Sequence, residues 1–113
     1  MTGPGASPIV TVYAVFASDE EARLIARRLV EERLAACVNI LGPCRSIYRW
    51  EGRIEESDEV AALFKTGAGR ADALIARLAE LHSYEVPAAV VWEIGSARPA
   101  YSDWVESETT KVI

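Results

Sequence analysis

An α+β fold, with one antiparallel sheet carrying helices on one face, is what this 113-residue chain predicts. Three observations point there. Extended and helical patterns alternate in the order β-α-β-β-α-β, followed by a short last helix. Hydrophobic residues make up 50% of the chain, enough at this length for one packed core and one domain. Residues 36–66 (ACVNILGPCRSIYRWEGRIEESDEVAALFKT) read as a single hairpin. Each of its arms is about a dozen residues long, against ~5–6 for a usual strand.

The elements follow in order. Residues 1–8 (MTGPGASP) have neither a basic start nor an apolar run, and read as a flexible leader before one domain over residues 9–113. Ile9–Phe16 (IVTVYAVF) is apolar on both faces, the pattern of a central strand covered on both sides. Ser18 with Glu21 three residues on forms a capping box. The helix it starts carries Ala22, Ile25, Ala26 and Leu29 on one face and is expected to end near Arg33–Leu34. The first hairpin arm begins at Ala36 and is broken at Gly42-Pro43, where Pro43 has no N–H to give a ladder, so a bulge is expected. Trp50-Glu51-Gly52-Arg53 supplies the turn, with Gly52 able to take positive φ. The return arm opens acidic at Glu55, Glu56, Asp58 and Glu59 and closes apolar at Val60, Leu63 and Phe64. Gly67-Ala68-Gly69 ends it. Ala71, Leu74, Ile75, Leu78 and Leu81 then recur at helical spacing as far as about His82. Residues 83–87 form a loop, residues 88–94 a fourth strand, and Tyr101, Trp104 and Val105 mark one side of the last helix. Residues 109–113 (TTKVI) are β-prone.

This order is the split-βαβ, ferredoxin-like arrangement. A chain of this size cannot cover both arms of so long a hairpin. The overhang exposes Tyr48, Trp50, Ile54 and a row of unpaired backbone groups, and natural proteins rarely leave such an edge open. The simplest cover is another copy of the same chain, so an obligate homo-oligomer is expected.

Charge and composition remove several classes of function. The formal net charge of −5 argues against nucleic acid or an anionic membrane as partner. No apolar run approaches the ~20 residues of a membrane helix. With no export signal, Cys37 and Cys44 read as reduced thiols in a cytosol. There is no G-x-S-x-G, no phosphate loop and no metalloprotease helix motif, so a non-enzymatic role is expected.

Five blocks now stand in register: LAACVNI at residues 34–40, SIYRWEG at 46–52, LFKT at 63–66, HSYEVP at 82–87 and YSDW at 101–104. By these blocks the chain closely resembles the CutA family, the divalent-cation tolerance proteins, over roughly residues 9–105. The resemblance implies a trimer of ferredoxin-like subunits, similar in architecture to PII-type signalling proteins. It also implies a role in tolerance to copper and other divalent metals. Members with an assigned copper site are expected to carry a cysteine at the end of the first strand and a histidine pair before the Y-x-x-P loop. Here the first position is Val15 and the pair is Leu81-His82, so one of those ligand positions is retained.

The residues themselves offer few soft ligands: Cys37, Cys44, His82 and Met1. Cys37 and Cys44 are seven apart, which puts them on opposite faces of a regular strand and on one face if a residue is bulged between them. Even then they lie too far apart to share an ion. Cys37 and His82 are therefore the candidate metal ligands, each set against a plainer role: a packed thiol for Cys37, and an imidazolium over the C-terminal carbonyls of its helix for His82. If a cleft forms between subunits, Tyr48, Trp50, Glu59, Lys65, His82 and Tyr84 are its expected lining. Lys65 and the start of the second helix are the candidate anion contacts. The leading function is a cytosolic homotrimer of copper or other divalent-metal homeostasis. The alternatives are a PII-like sensor of a small anionic ligand and a module that docks a protein on its acidic rim at Glu55, Glu56 and Asp58.

Overall fold

Strand β1 (Ile9–Phe16) is the spine of the sheet, paired antiparallel on one side with β3 (Arg53–Gly67) and on the other with β4 (Ala89–Glu93). The computed structural model describes residues 7–110. Strand β2 (Cys37–Trp50) pairs antiparallel with the outer side of β3, giving the order β2-β3-β1-β4 expected of a ferredoxin-like fold. Helices α1 (Asp19–Glu31) and α2 (Ala71–Leu81) lie on one face, α2 entered through a 3-10 turn at Ala68–Arg70.

The core follows the two-residue period of the strands. Val10, Val12, Ala14 and Phe16 of β1 and Val60, Ala62 and Phe64 of β3 point to the helices. They meet Ala22, Ile25, Ala26 and Leu29 of α1 and Ala71, Leu74 and Leu78 of α2. The opposite face is covered at one end by α3 (Pro99–Glu108), where Val105 packs with Ile9 and Ala36. Helix α3 therefore supplies part of the cover that a strand apolar on both faces requires. Toward β4 it remains open, with Trp92 stacked on Tyr13 at 4.9 Å and still 49% exposed.

Helix α1 stops two residues before the expected end. Arg33 takes a left-handed backbone (φ 61°), its N–H bonds Val30 O and the Leu34 N–H bonds Leu29 O. That is a Schellman ending, and Leu34 and Leu29 are both buried in the same apolar core. The Arg33 guanidinium then reaches across to Ser107 O at 3.1 Å and Thr110 O at 3.5 Å, so the residue that ends α1 also closes α3.

The hairpin turns through Glu51 (φ 49°) and Gly52 (φ 80°), both left-handed, between the paired residues Trp50 and Arg53. This is the two-residue primed turn that matches strand twist. The register slips between Ile40 and Gly42, making Leu41 the extra residue of the expected bulge. The slip puts Cys37 (opposite Lys65) and Cys44 (opposite Glu59) on the same face. Beyond Val60, the partner of Phe16, seven β2–β3 pairs continue with no third strand beside them among the described residues. At ~3.3 Å per residue that overhang is roughly 23 Å long. It carries Ile47 (67% exposed), Tyr48, Trp50 and Ile54 (62%).

Both ends of the chain differ in part from expectation. Of the leader, residues 1–6 lie outside the described residues. Ser7 and Pro8 are tied down: the Ser7 N–H bonds Ile94 O at 2.9 Å and Pro8 O accepts from Ala68 at 2.8 Å. Of the β-prone tail, Thr109 caps α3 through N–H bonds to Val105 O and Glu106 O, and residues 111–113 lie outside the described residues.

Candidate functional site

Three of the polar groups that the sequence singled out, His82, Tyr84 and Glu59, gather at one place, the root of the hairpin overhang, where β1 ends and the loop after α2 passes. His82 follows the last turn of α2 in extended backbone (ψ 145°), which turns its side chain back across the end of β1. The imidazole is fully buried, stacked on Phe16 at 5.0 Å and overlain by Tyr84 at 4.7 Å. Its Nε2 donates to Val15 O at 2.8 Å, and its Nδ1 accepts from the Tyr84 N–H at 3.0 Å. A carbonyl only accepts and an amide N–H only donates, so the ring is held as the Nε2–H tautomer with both nitrogens occupied. The ring therefore does not lie over the carbonyls of its own helix. The backbone N–H of His82 makes the last helical bond, to Leu78 O at 3.0 Å.

Tyr84 extends the chain of bonds. Its hydroxyl donates to Glu59 Oε2 at 2.8 Å, and Glu59 is only 6% exposed. Glu59, expected to line a cleft between subunits, is thus a buried member of the acidic run within a single chain. Burial, and then the bond to Glu59, push the Tyr84 hydroxyl pKa well above its ordinary value. Tyr48 lies on the same face and bonds Ser57 Oγ at 3.2 Å. The rest of the rim is partly neutralised, because Arg45 pairs with Asp58 at 2.7 Å and with Glu56 at 3.5 Å.

Glu21 completes the group and was legible only as a helix cap. One carboxylate oxygen accepts the Ala17 N–H at 3.1 Å; the other accepts the Ser83 N–H at 2.8 Å and lies 3.8 Å from His82 Nδ1. Burial works to raise its pKa, but the hydrogen bonds from Ser83 and Ala17 outweigh it and hold the carboxyl below its ordinary range.

Two of the expected cleft residues stand apart within one chain. Lys65 is six residues from Glu59 on β3, ~20 Å along the strand, and donates to Asn39 Oδ1 at 3.1 Å. Trp50 sits at the hairpin tip opposite Arg53. Helix α2 has no side-chain cap at its start.

Cys37 meets α3: its Sγ is 3.2 Å from the Tyr101 hydroxyl, whose pKa is pushed up to about 12, first by burial and then by the thiol contact. Both cysteines are free. Among the described residues no three His, Cys, Asp or Glu side chains come together as a metal site. At His82 a cation could reach Nδ1 only by displacing the Tyr84 N–H. An open groove between α1 and β2, lined by Leu24, Val30, Val38 and Ile40, lies elsewhere and contains none of these residues.

Known proteins resemble this arrangement over nearly its whole length. The family model of the CutA1 divalent ion tolerance protein matches residues 10–108. A divalent-cation tolerance protein CutA from Thermus thermophilus is 46% identical over 92 residues, covering 81% of this chain and 89% of that one. Its counterpart from Pyrococcus horikoshii is 39% identical over 103 residues, covering 91% of this chain and all of that one (100%). A crystal structure of CutA from Xylella fastidiosa superposes with a TM-score of 0.89 at 38% identity, covering 92% of this chain and 100% of that one.

Proposed function

Because the chain belongs to the CutA1 divalent ion tolerance family, we propose that it serves divalent-cation tolerance as a non-enzymatic homotrimer in the cytosol, with weak contact to copper or another divalent cation. The observation that carries the assembly is the unaccompanied hairpin. Seven strand pairs run past the rest of the sheet with Ile47, Tyr48, Trp50 and Ile54 exposed, and Trp92 and Val90 are open on β4. Burying such surface against sister chains removes apolar area from water at ~25 cal/mol per Å². Two free thiols suit a reducing compartment.

The cation contact belongs between chains, because one chain brings no ligand cluster together among its described residues. The root of the overhang is lined by Glu59 and Glu21, so it suits a cation better than the small anion of a PII-like sensor. The pairing of Arg45 with Asp58 and Glu56 weakens the case for an acidic docking rim. Titrating copper(I), copper(II) and zinc(II) by calorimetry, with mass measured alongside, tests the reading. It predicts weak binding whose stoichiometry is counted per trimer. Tight binding by a monomeric variant, or none by the trimer, contradicts it.

A further inference from the structure

The hairpin changes character at one level of the sheet. There Val60 pairs with Phe16 on one side and with Pro43 on the other, and beyond it β2 and β3 have no third strand beside them among the described residues. One step further in, the β2 partner of Ala61 is Gly42, at φ 106°, with the extra residue Leu41 beside it. Pro43 has no backbone N–H. A bulge bends the strand that carries it and sharpens the local twist. Strand β2 is therefore irregular where the third strand stops, and β3 alone runs through that level unbroken.

Past that level the side-chain bonds stay inside the hairpin. Arg45 bonds Asp58 and Glu56, and Tyr48 meets Ser57. Among the described residues, a single side-chain hydrogen bond runs from residues 44–59 to the rest of the chain: the Tyr84 hydroxyl donates to Glu59 Oε2. Glu59 is the first β3 residue of the overhang. Tyr84 is anchored in turn by its own N–H on His82 and by the neighbouring Ser83 N–H on Glu21.

We propose that the overhang is an arm hinged at the Leu41 bulge and stayed by the Tyr84–Glu59 bond, which makes those two side chains positioning residues for the surface the arm presents. The stay sets where the exposed Ile47, Tyr48, Trp50 and Ile54 point. A rotation of ~15° at the hinge carries the tip of an arm of roughly 23 Å through ~6 Å, well beyond the fit of close-packed side chains. That sister chains receive the arm rests on the function proposed above; the hinge and its stay lie within one chain.

Spin labels at Arg49→Cys, near the tip, and at Arg27→Cys, on α1, report the direction of the arm as a distance distribution. Both positions are exposed. The full chain carries Cys37→Ser and Cys44→Ser, and labelled chain is diluted into excess unlabelled chain before assembly, so each distance is read within one copy. With Tyr84 and Glu59 intact, a narrow distribution is expected. Tyr84→Phe is expected to widen it at least about twofold. Glu59→Ala, which removes the acceptor, is expected to widen it likewise, and Glu59→Gln, which keeps one, to leave it narrow. A fold that is less stable but still rigid keeps the narrow distribution. The proposal is overturned if the arm is already broad with both residues intact, if neither Tyr84→Phe nor Glu59→Ala widens it, or if Glu59→Gln widens it as much as Glu59→Ala. Mass measured on the same samples reports assembly separately: a monomer whose arm widens on Tyr84→Phe contradicts the homotrimer and supports the hinge.

Discussion

The hydroxyl of Tyr84 and the carboxylate of Glu59 meet at 2.8 Å, joining the loop after α2 to the strand where the hairpin leaves the sheet. Glu59 is 6% exposed, so the tyrosine hydroxyl is its replacement for water. Tyr84→Phe removes the donor and leaves a buried carboxylate short of a partner, at a cost of about 1–3 kcal/mol. Glu59→Gln keeps an acceptor for the hydroxyl and removes the charge, so it is expected to cost less. Urea unfolding of the three proteins checks the order; a Tyr84→Phe variant as stable as wild type contradicts it.

Arg33 does two jobs that substitution separates. Its left-handed backbone costs about 1 kcal/mol relative to glycine, while its guanidinium holds the carbonyls of Ser107 and Thr110. Arg33→Ala loses the bonds and keeps the strain, and is expected to be the less stable variant. Arg33→Gly loses the bonds and relieves the strain, and is expected to lie within about 1 kcal/mol of wild type. Thermal melts that reverse this order contradict the assignment.

Glu51 sits at φ 49° in the first position of the two-residue turn, a place that asparagine fills more easily. Glu51→Asn is expected to stabilise the protein by a few tenths to about 1 kcal/mol. Gly52→Ala, at φ 80° with no atom near a built Cβ, is expected to destabilise it by about 1 kcal/mol through backbone conformation alone. Melting temperatures that move the other way count against the turn as described.

Alkali and acid act on different bonds. The Tyr101 pKa is raised to about 12, first by burial and then by the Cys37 thiol, so the contribution of its neutral, buried hydroxyl is present in full below the ordinary tyrosine value of ~10. That contribution is lost as pH rises toward about 12. The Glu21 pKa is lowered from 4.5, so its contribution is present above that value and is lost as pH falls through the depressed one. Tyr101→Phe is expected to flatten the alkaline limb of stability against pH, and Glu21→Gln the acid limb. Unfolding midpoints measured across the range decide it, and limbs unchanged by these variants contradict the assignment.

The fold was legible because its strongest signals are local. The two-residue alternation of β1, the 3.6-residue spacing of α1 and α2, and the Glu51-Gly52 turn each need only their own neighbourhood. The Leu41 bulge was foreshadowed by Gly42-Pro43. What stayed hidden depends on pairing over long distances. Glu59 was expected to line a cleft between subunits; its partner within the chain, Tyr84, lies twenty-five positions away, where no local pattern announces it. Glu21 was read as a cap because its second oxygen meets Ser83, sixty-two positions on. The His82 ring was left between a metal-ligand role and its own helix end because nothing local announces that Val15 O needs a donor. The packing of α3 on the second face stayed hidden for the same reason: Ile9, Ala36 and Val105 meet only in the folded chain.

Sedimentation equilibrium at low micromolar concentration tests most directly whether the hairpin overhang is an interface between copies. The account predicts a mass three times the 12.3 kDa of one chain, with Tyr48→Ala and Trp50→Ala shifting the equilibrium toward monomer. A folded wild-type protein that sediments as a 12.3 kDa monomer contradicts it.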